Sequence, residues 1–435
     1  MISYRIATSD TKQEVQWQDA AKASKKLLQL PPMQLPSVVK RWKHQIAAKT
    51  VWLRTQRSIQ NSAFLSAGGS EASTRMTANP KVIDRKDLEL GALLGEGSFA
   101  CVHEIRHFCN DTIVPSRQGE HMLEMEESQP SRYVVKQLPG VELGGTQGKL
   151  YQDAACDLIM ESIYLSRLDH PGIVRVHGVS STIHKCLTNS KWRTFRSKGT
   201  DVATKENDYF IVVDRIVETL DKRILLWKDE DVDKRELFPI HCRIGLQLAQ
   251  VLSFLQHRRI VFRALSPENV GFDQETGMVK LFDFGSCREL PKARPWEPTM
   301  TQKEMRSLHY YHDKTNASTI RHHEQVFHMS AVGSPRYMAP EVVKQPHLYN
   351  GKCDVYSWSI LMVHLLALED LFVDWNNLDI LQRVVWGEER PALSYLRLPP
   401  PLEQLLKHAW ATDLSVRPNV HQVLDHMELI VKYHL

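Results

Sequence analysis

The sequence predicts an α+β chain folded as two lobes, and three observations carry that expectation. Short strand-like apolar runs follow one another from Leu88 to about Val213. After about Val217 the spacing turns mostly helical, and strands gathered ahead of helices point to an α+β arrangement. At 435 residues the chain is long for one domain, and a two-lobed body of about 300 residues with extensions fits that length.

Residues 1–85 read as a basic extension and linker. Between Ala20 and Ser70 there is no acidic residue, but there are Lys22, Lys25, Lys26, Lys40, Arg41, Lys43, Lys49, Arg54 and Arg57. After Ser37, a candidate N-cap, Val39, Trp42, Ile46 and Leu53 recur at helical spacing. Two readings follow. A basic amphipathic helix would suit peripheral contact with an anionic membrane surface or a partner protein's groove. A plain packing helix would bury Trp42 on the next domain and leave its lysines in solvent. Gly68 to Pro80 then reads as the linker.

From Leu88 the expected strands are Leu88–Leu94, Ala100–Ile105, Arg132–Lys136, Ile173–Val179 and Tyr209–Val213, with a helix over Gln152–Leu168. Polar insertions interrupt them near 108–131, 181–208 and 288–329, long enough to be functional or without fixed structure. The apolar stretch Ser359–Val373 contains His364, Glu369 and Asp370 and reads as a buried core helix. It falls short of the ~18 uninterrupted apolar residues a membrane span needs.

Composition excludes several classes. A net charge of +4 is too small for this length to imply nucleic acid. The seven cysteines contain no Cys-x-x-Cys pair, so free thiols in a reducing compartment are expected. The polar N-terminus lacks the apolar core of a secretory signal, and a cytoplasmic location is expected.

Chemistry concentrates in an ordered series of motifs. Gly95-Glu96-Gly97-Ser98-Phe99-Ala100-Cys101-Val102 lies between two strands, where small residues let backbone N–H groups approach phosphates. Lys136 ends a strand, Glu161 sits on the following helix, and His170-Pro171-Gly172 turns after it. Phe262-Arg263-Ala264-Leu265-Ser266-Pro267-Glu268-Asn269 precedes Asp283-Phe284-Gly285, itself preceded by an apolar strand. Gly333 to Glu341, Asp354-Val355-Tyr356-Ser357-Trp358 and Ser415-Val416-Arg417-Pro418 close the series.

This series resembles the protein kinase family over about residues 86–435, and its later motifs are most similar to the tyrosine-kinase-like group, whose members mainly phosphorylate Ser and Thr. The resemblance implies a bilobal fold, with a β-rich lobe at 86–213 and a helical lobe at 214–435. It implies that ATP lies between the lobes with Mg²⁺ held by Asn269 and Asp283. Lys136, oriented by Glu161, would meet the α- and β-phosphates, and Gly95, Gly97, Ser98, Val102 and Val134 would cover the nucleotide. Val213 would guard the back pocket, and the backbones of Asp214 and Ile216 would meet adenine. Glu341 and Arg417 would form a buried ion pair.

The chain departs from the family in the catalytic loop. The usual base, an Asp, is Ala264; the usual His is Phe262; a usual cation is Ser266. Around adenine, Val134 adds bulk above and Gly271 removes it below, which would shift the slot. Arg263 is kept, either to pair with a phosphate on Ser307, Thr315, Ser318, Thr319 or Ser330 or to brace the loop. The expected function is a pseudokinase that binds ATP and Mg²⁺ and acts as a switch or scaffold for partner proteins. The alternatives are a Ser/Thr kinase with weak or atypical transfer and a kinase-shaped interaction module without nucleotide.

Overall fold

The computed structural model describes residues 80–96, 100–109, 131–138, 146–188, 209–230, 232–291 and 325–435. The N-terminal extension, its candidate helix and most of each insertion lie outside the described residues.

The first lobe is built on a six-stranded sheet. Its strands are Lys81–Ile83 (β1), Leu88–Glu96 (β2), Cys101–Phe108 (β3), Tyr133–Gln137 (β4), Val176–Ser180 (β5) and Phe210–Asp214 (β6), in the order β1-β5-β6-β4-β3-β2. Among the described residues the sheet includes a strand at Lys81–Ile83, before residue 86. Ile83 has no exposed surface and packs with Leu88, Ile105, Phe108, Val135, Phe210 and Val212 on one face of the sheet. Side chains alternate across a strand. Val134, Ile211 and Val213 accordingly face the other way, into the main core.

Against that second face lies the helix Thr146–Leu165 (α1), which starts earlier than its sequence pattern suggested. Its buried residues Leu158, Ile159, Ile163 and Leu165 join the main core. The expected insertion at 181–208 opens with a short helix, Ser181–Thr188 (α2), pinned by the fully buried Ile183.

The second lobe begins with Ile216–Thr219 (β7), Leu220–Asp229 (α3) and Lys234–His257 (α4), then Ile260–Val261 (β8), Val270–Asp273 (β9), Val279–Leu281 (β10) and Arg288–Glu289 (β11). It continues through Phe327–His328 (β12), Pro340–Val343 (α5), Leu348–Tyr349 (β13) and Lys352–Ala367 (α6). Asn377–Ile380 (α7), Pro400–Ala409 (α8) and Val420–His434 (α9) complete it. β9 lies between β10 and β7.

All of α6 is buried, its polar Lys352, Asp354, Ser357, Ser359 and His364 included. It ends at Ala367, and Leu368 turns left-handed, so Glu369 and Asp370 fall beyond it in solvent. α4 comes close to α6 at Gly245, where any Cβ would meet Met362 Sδ at 2.4 Å and where Trp358 Nε1 donates to the Gly245 carbonyl at 2.9 Å. Arg417, before α9, grips Glu341 of α5 with two bonds of 2.5 and 3.0 Å. Its guanidinium also donates to the carbonyls of Lys352 and Ala411. Among the described residues, no helix is long and apolar enough to cross a membrane.

Candidate functional site

The candidate site lies where β4, α1 and the segments flanking β9 and β10 converge. β4 carries Lys136 on the face that looks toward α1, and α1 brings Glu161 to it. Lys136 Nζ donates to Glu161 Oε2 at 2.7 Å and to Asp283 Oδ1 at 3.0 Å. Burial alone would lower the lysine's pKa, but the Asp283 and Glu161 carboxylates outweigh it and hold the ammonium protonated. Asp283 takes a left-handed backbone, φ 65° and ψ 65°, unusual for a residue with a Cβ and of the kind that gathers at functional sites. About half of its side chain remains exposed.

The loop before β9 is shaped from below. The backbone N–H groups of Phe262 and Arg263 donate to the two oxygens of Asp354 on α6, each at 2.8 Å. Burial pushes the Asp354 carboxyl up to about 6 against the pull of those two donors. Asn269 closes the loop: its side-chain nitrogen donates to the Ala264 carbonyl at 2.8 Å. Phe262 and Phe284, both without exposed surface, meet edge to face at 5.2 Å. Phe262 thus replaces an imidazole as an apolar packing group. Ala264 presents only a methyl.

Of the two roles expected for Arg263, the structure displays bracing. Its side chain is buried, with Nε donating to the Ser286 carbonyl at 2.8 Å and Nη1 to the Tyr349 hydroxyl at 3.3 Å. Tyr349 in turn donates to the Ser330 carbonyl at 2.7 Å. The other four candidate phosphorylation positions lie outside the described residues.

At the junction between the lobes, Val213 is buried and pairs with Val134 across the sheet. The Asp214 N–H donates to the Arg175 carbonyl at 3.1 Å, which leaves only its carbonyl for a ligand. Its side chain accepts from His177 Nε2 at 2.6 Å, Lys280 Nζ at 3.0 Å and the Arg175 N–H at 3.0 Å. Burial alone would raise the Asp214 carboxyl, but the bonds and charges of His177 and Lys280 prevail and hold it well below the usual range. Lys280 also reaches Asp273 at 3.2 Å.

Gly95 is exposed with open space around its Cα, Val102 is half-buried against the main core, and Val134 is buried. Gly97 and Ser98 lie outside the described residues. The structure thus gathers Lys136, Glu161 and Asp283 by direct bonds and ties Asn269 to Ala264. His177, Lys280 and Tyr349 went unrecognised in the sequence. Only Lys280 leaves a signal there, a cation in the middle of the apolar run Val279–Leu281, which demands a buried anionic partner.

The family profile for the protein kinase domain matches residues 88–427. Among similar proteins, the serine/threonine-protein kinase Nek11 of Macaca fascicularis is 22% identical over 356 residues, 81% of this chain and 42% of that protein. Nek11 of Homo sapiens is 23% identical over the same length. Mitogen-activated protein kinase kinase kinase 7 of Bos taurus is 25% identical over 194 residues, 43% of this chain and 27% of that protein. The chain spans less than half the length of each of these relatives.

Proposed function

The chain belongs to the protein kinase family, and from that premise we propose that it is a pseudokinase: it binds ATP with Mg²⁺ between its lobes and serves as a nucleotide-responsive switch or scaffold for partner proteins. One observation carries this reading. Lys136 is held by Glu161 and Asp283 at 2.7 and 3.0 Å, while Ala264 offers no proton acceptor.

The residues fit the groups they would hold. Lys136 stays charged and oriented, ready for the α- and β-phosphates. The donor set suits Mg²⁺: Asp283 supplies a half-exposed carboxylate, and Asn269, its nitrogen committed to the Ala264 carbonyl, has its amide oxygen left for the metal. Bound Mg²⁺ supplies charge neutralisation on the phosphates. The carbonyl of Asp214 and the backbone of Ile216 would meet the base, with Val102 and Val134 to cover it.

Transfer to a protein hydroxyl is the weak step. A positioned base contributes about 10²–10⁴-fold, and here it is absent. Ser266, where the family carries a cation, removes a further charge beside the γ-phosphate. A second reading, a Ser/Thr kinase with slow transfer, draws support from the loop backbone, which Asp354 holds in place without any base.

Thermal denaturation with ATP, with and without Mg²⁺, tests the first reading; no stabilisation at millimolar MgATP overturns it. Radiolabel transfer from γ-labelled ATP separates the two. Transfer that Asp283→Ala abolishes makes the chain an enzyme, and stabilisation without transfer makes it a switch.

A further inference from the structure

Gly271, in the middle of β9, is hemmed in on three sides. A Cβ placed there would stand 2.2 Å from Ile216 Cγ2, 3.0 Å from the Glu218 carbonyl oxygen and 3.2 Å from Phe282 Cε1. The backbone has little room to retreat, because β9 is paired on both edges, Gly271 facing Lys280 of β10 and Thr219 of β7. The side chain at fault is Ile216. A bulge between Ile216 and Glu218 sets two residues of β7 against one of β9, and a bulge re-aims the side chain it carries. Here it coincides with Ile216 lying directly over the glycine. Phe282 closes the remaining side, its own N–H bonded to the Asn269 carbonyl at 3.1 Å.

We propose that Ile216, with Phe282 beside it, forms the floor of the base slot in place of residue 271, and so determines the depth of that slot. The inference rests on the nucleotide reading above. The volume given up at Gly271 is not left open, so the slot is not shifted downward as the sequence suggested. It is refilled from β7 by a branched residue. With the buried Val134 above and Ile216 below, the slot suits one flat aromatic base. Gly271 is then a glycine because of Ile216, and the two positions are coupled.

A double-mutant cycle with two readouts tests this: calorimetric titration with MgATP, and thermal midpoint without nucleotide. Gly271→Leu is expected to lower the midpoint and to weaken MgATP binding about ten-fold or more, as displaced Ile216 enters the slot. Adding Ile216→Ala to that chain is expected to restore both. If Gly271→Leu fails to fold, the milder Gly271→Ala takes its place, since even one carbon meets Ile216. Wild-type affinity and midpoint in the Gly271 variant, or no recovery in the double variant, overturns the floor while leaving nucleotide binding standing. A wild-type chain that ignores MgATP overturns the nucleotide reading and the floor with it, whereas the midpoints still report the packing.

Discussion

The two ends of the cleft differ in what they present and agree in how firmly they are held. At the end proposed to face the nucleotide, Lys136 has two carboxylates within bonding distance and Asn269 is anchored to the loop. At the end proposed to face an acceptor, Ala264 and Ser266 offer a methyl and a hydroxyl where the resemblance implies a base and a cation. Yet the backbone under that second end is clamped by Asp354 through two 2.8 Å bonds and braced by Arg263. The shape of the loop and its chemistry are therefore specified separately. A carboxylate beneath the loop fixes the path of the chain, and the side chains at 264 and 266 add only a methyl and a hydroxyl to it.

The largest expected effect would break the comparison outright. Ala264→Asp should raise phosphoryl transfer to a generic Ser/Thr substrate by about 10²–10⁴-fold, read by radiolabel incorporation. An unchanged rate would mean that the acceptor end lacks more than its base. Next, Glu341→Ala should lower stability to urea by about 3–5 kcal/mol, because it strands the buried Arg417. It should leave MgATP affinity per folded molecule unchanged, and a parallel loss of affinity would tie the cleft to the lower lobe more closely than the contacts suggest.

Smaller effects sharpen the comparison by pH. Asp354 titrates near 6 when folded, above its unfolded value of 3.8, so its contribution to stability is fully present below about 4 and is lost as pH rises through about 6. That rise corresponds to about 3 kcal/mol. Asp214, held low, contributes the opposite way: its stability is present above its unfolded value and fades as pH falls below it. Denaturation midpoints between pH 4 and 7 should flatten in Asp354→Asn, and an identical slope would remove Asp354 as the source. The smallest effect is expected of Lys136→Met. It should cost about ten-fold in MgATP affinity, equivalent to about 1.4 kcal/mol, measured by calorimetry.

The cluster of Lys136, Glu161 and Asp283 was legible in the sequence because each of its motifs is local. Asn269 falls five residues after Ala264, Asp283 directly follows an apolar strand, and Lys136 ends one. Chain geometry fixes such spacings whatever the rest of the fold does. What escaped depends on contacts between distant segments. His177 and Lys280 meet at Asp214 from 37 and 66 residues away. The Tyr349 hydroxyl reaches Arg263 across 86 residues. Ile216 fills the space at Gly271 through a bulge that no local pattern announces. The strand Lys81–Ile83 is likewise recognisable only beside its partner β5.

The Asp214 carboxylate has a mechanical consequence. It takes donors from His177 and Arg175 at β5 on one side and from Lys280 of β10 on the other, at the place where one lobe gives way to the next. Were the lobes to swing apart there, the bonds from His177 and Lys280 to Asp214 would have to stretch. Those bonds tie the last strand of the first lobe's sheet to β10 of the second. Replacing Lys280 with Met should widen the spread of interlobe distances seen by paired fluorescent labels, and an unchanged spread would place the stiffness elsewhere.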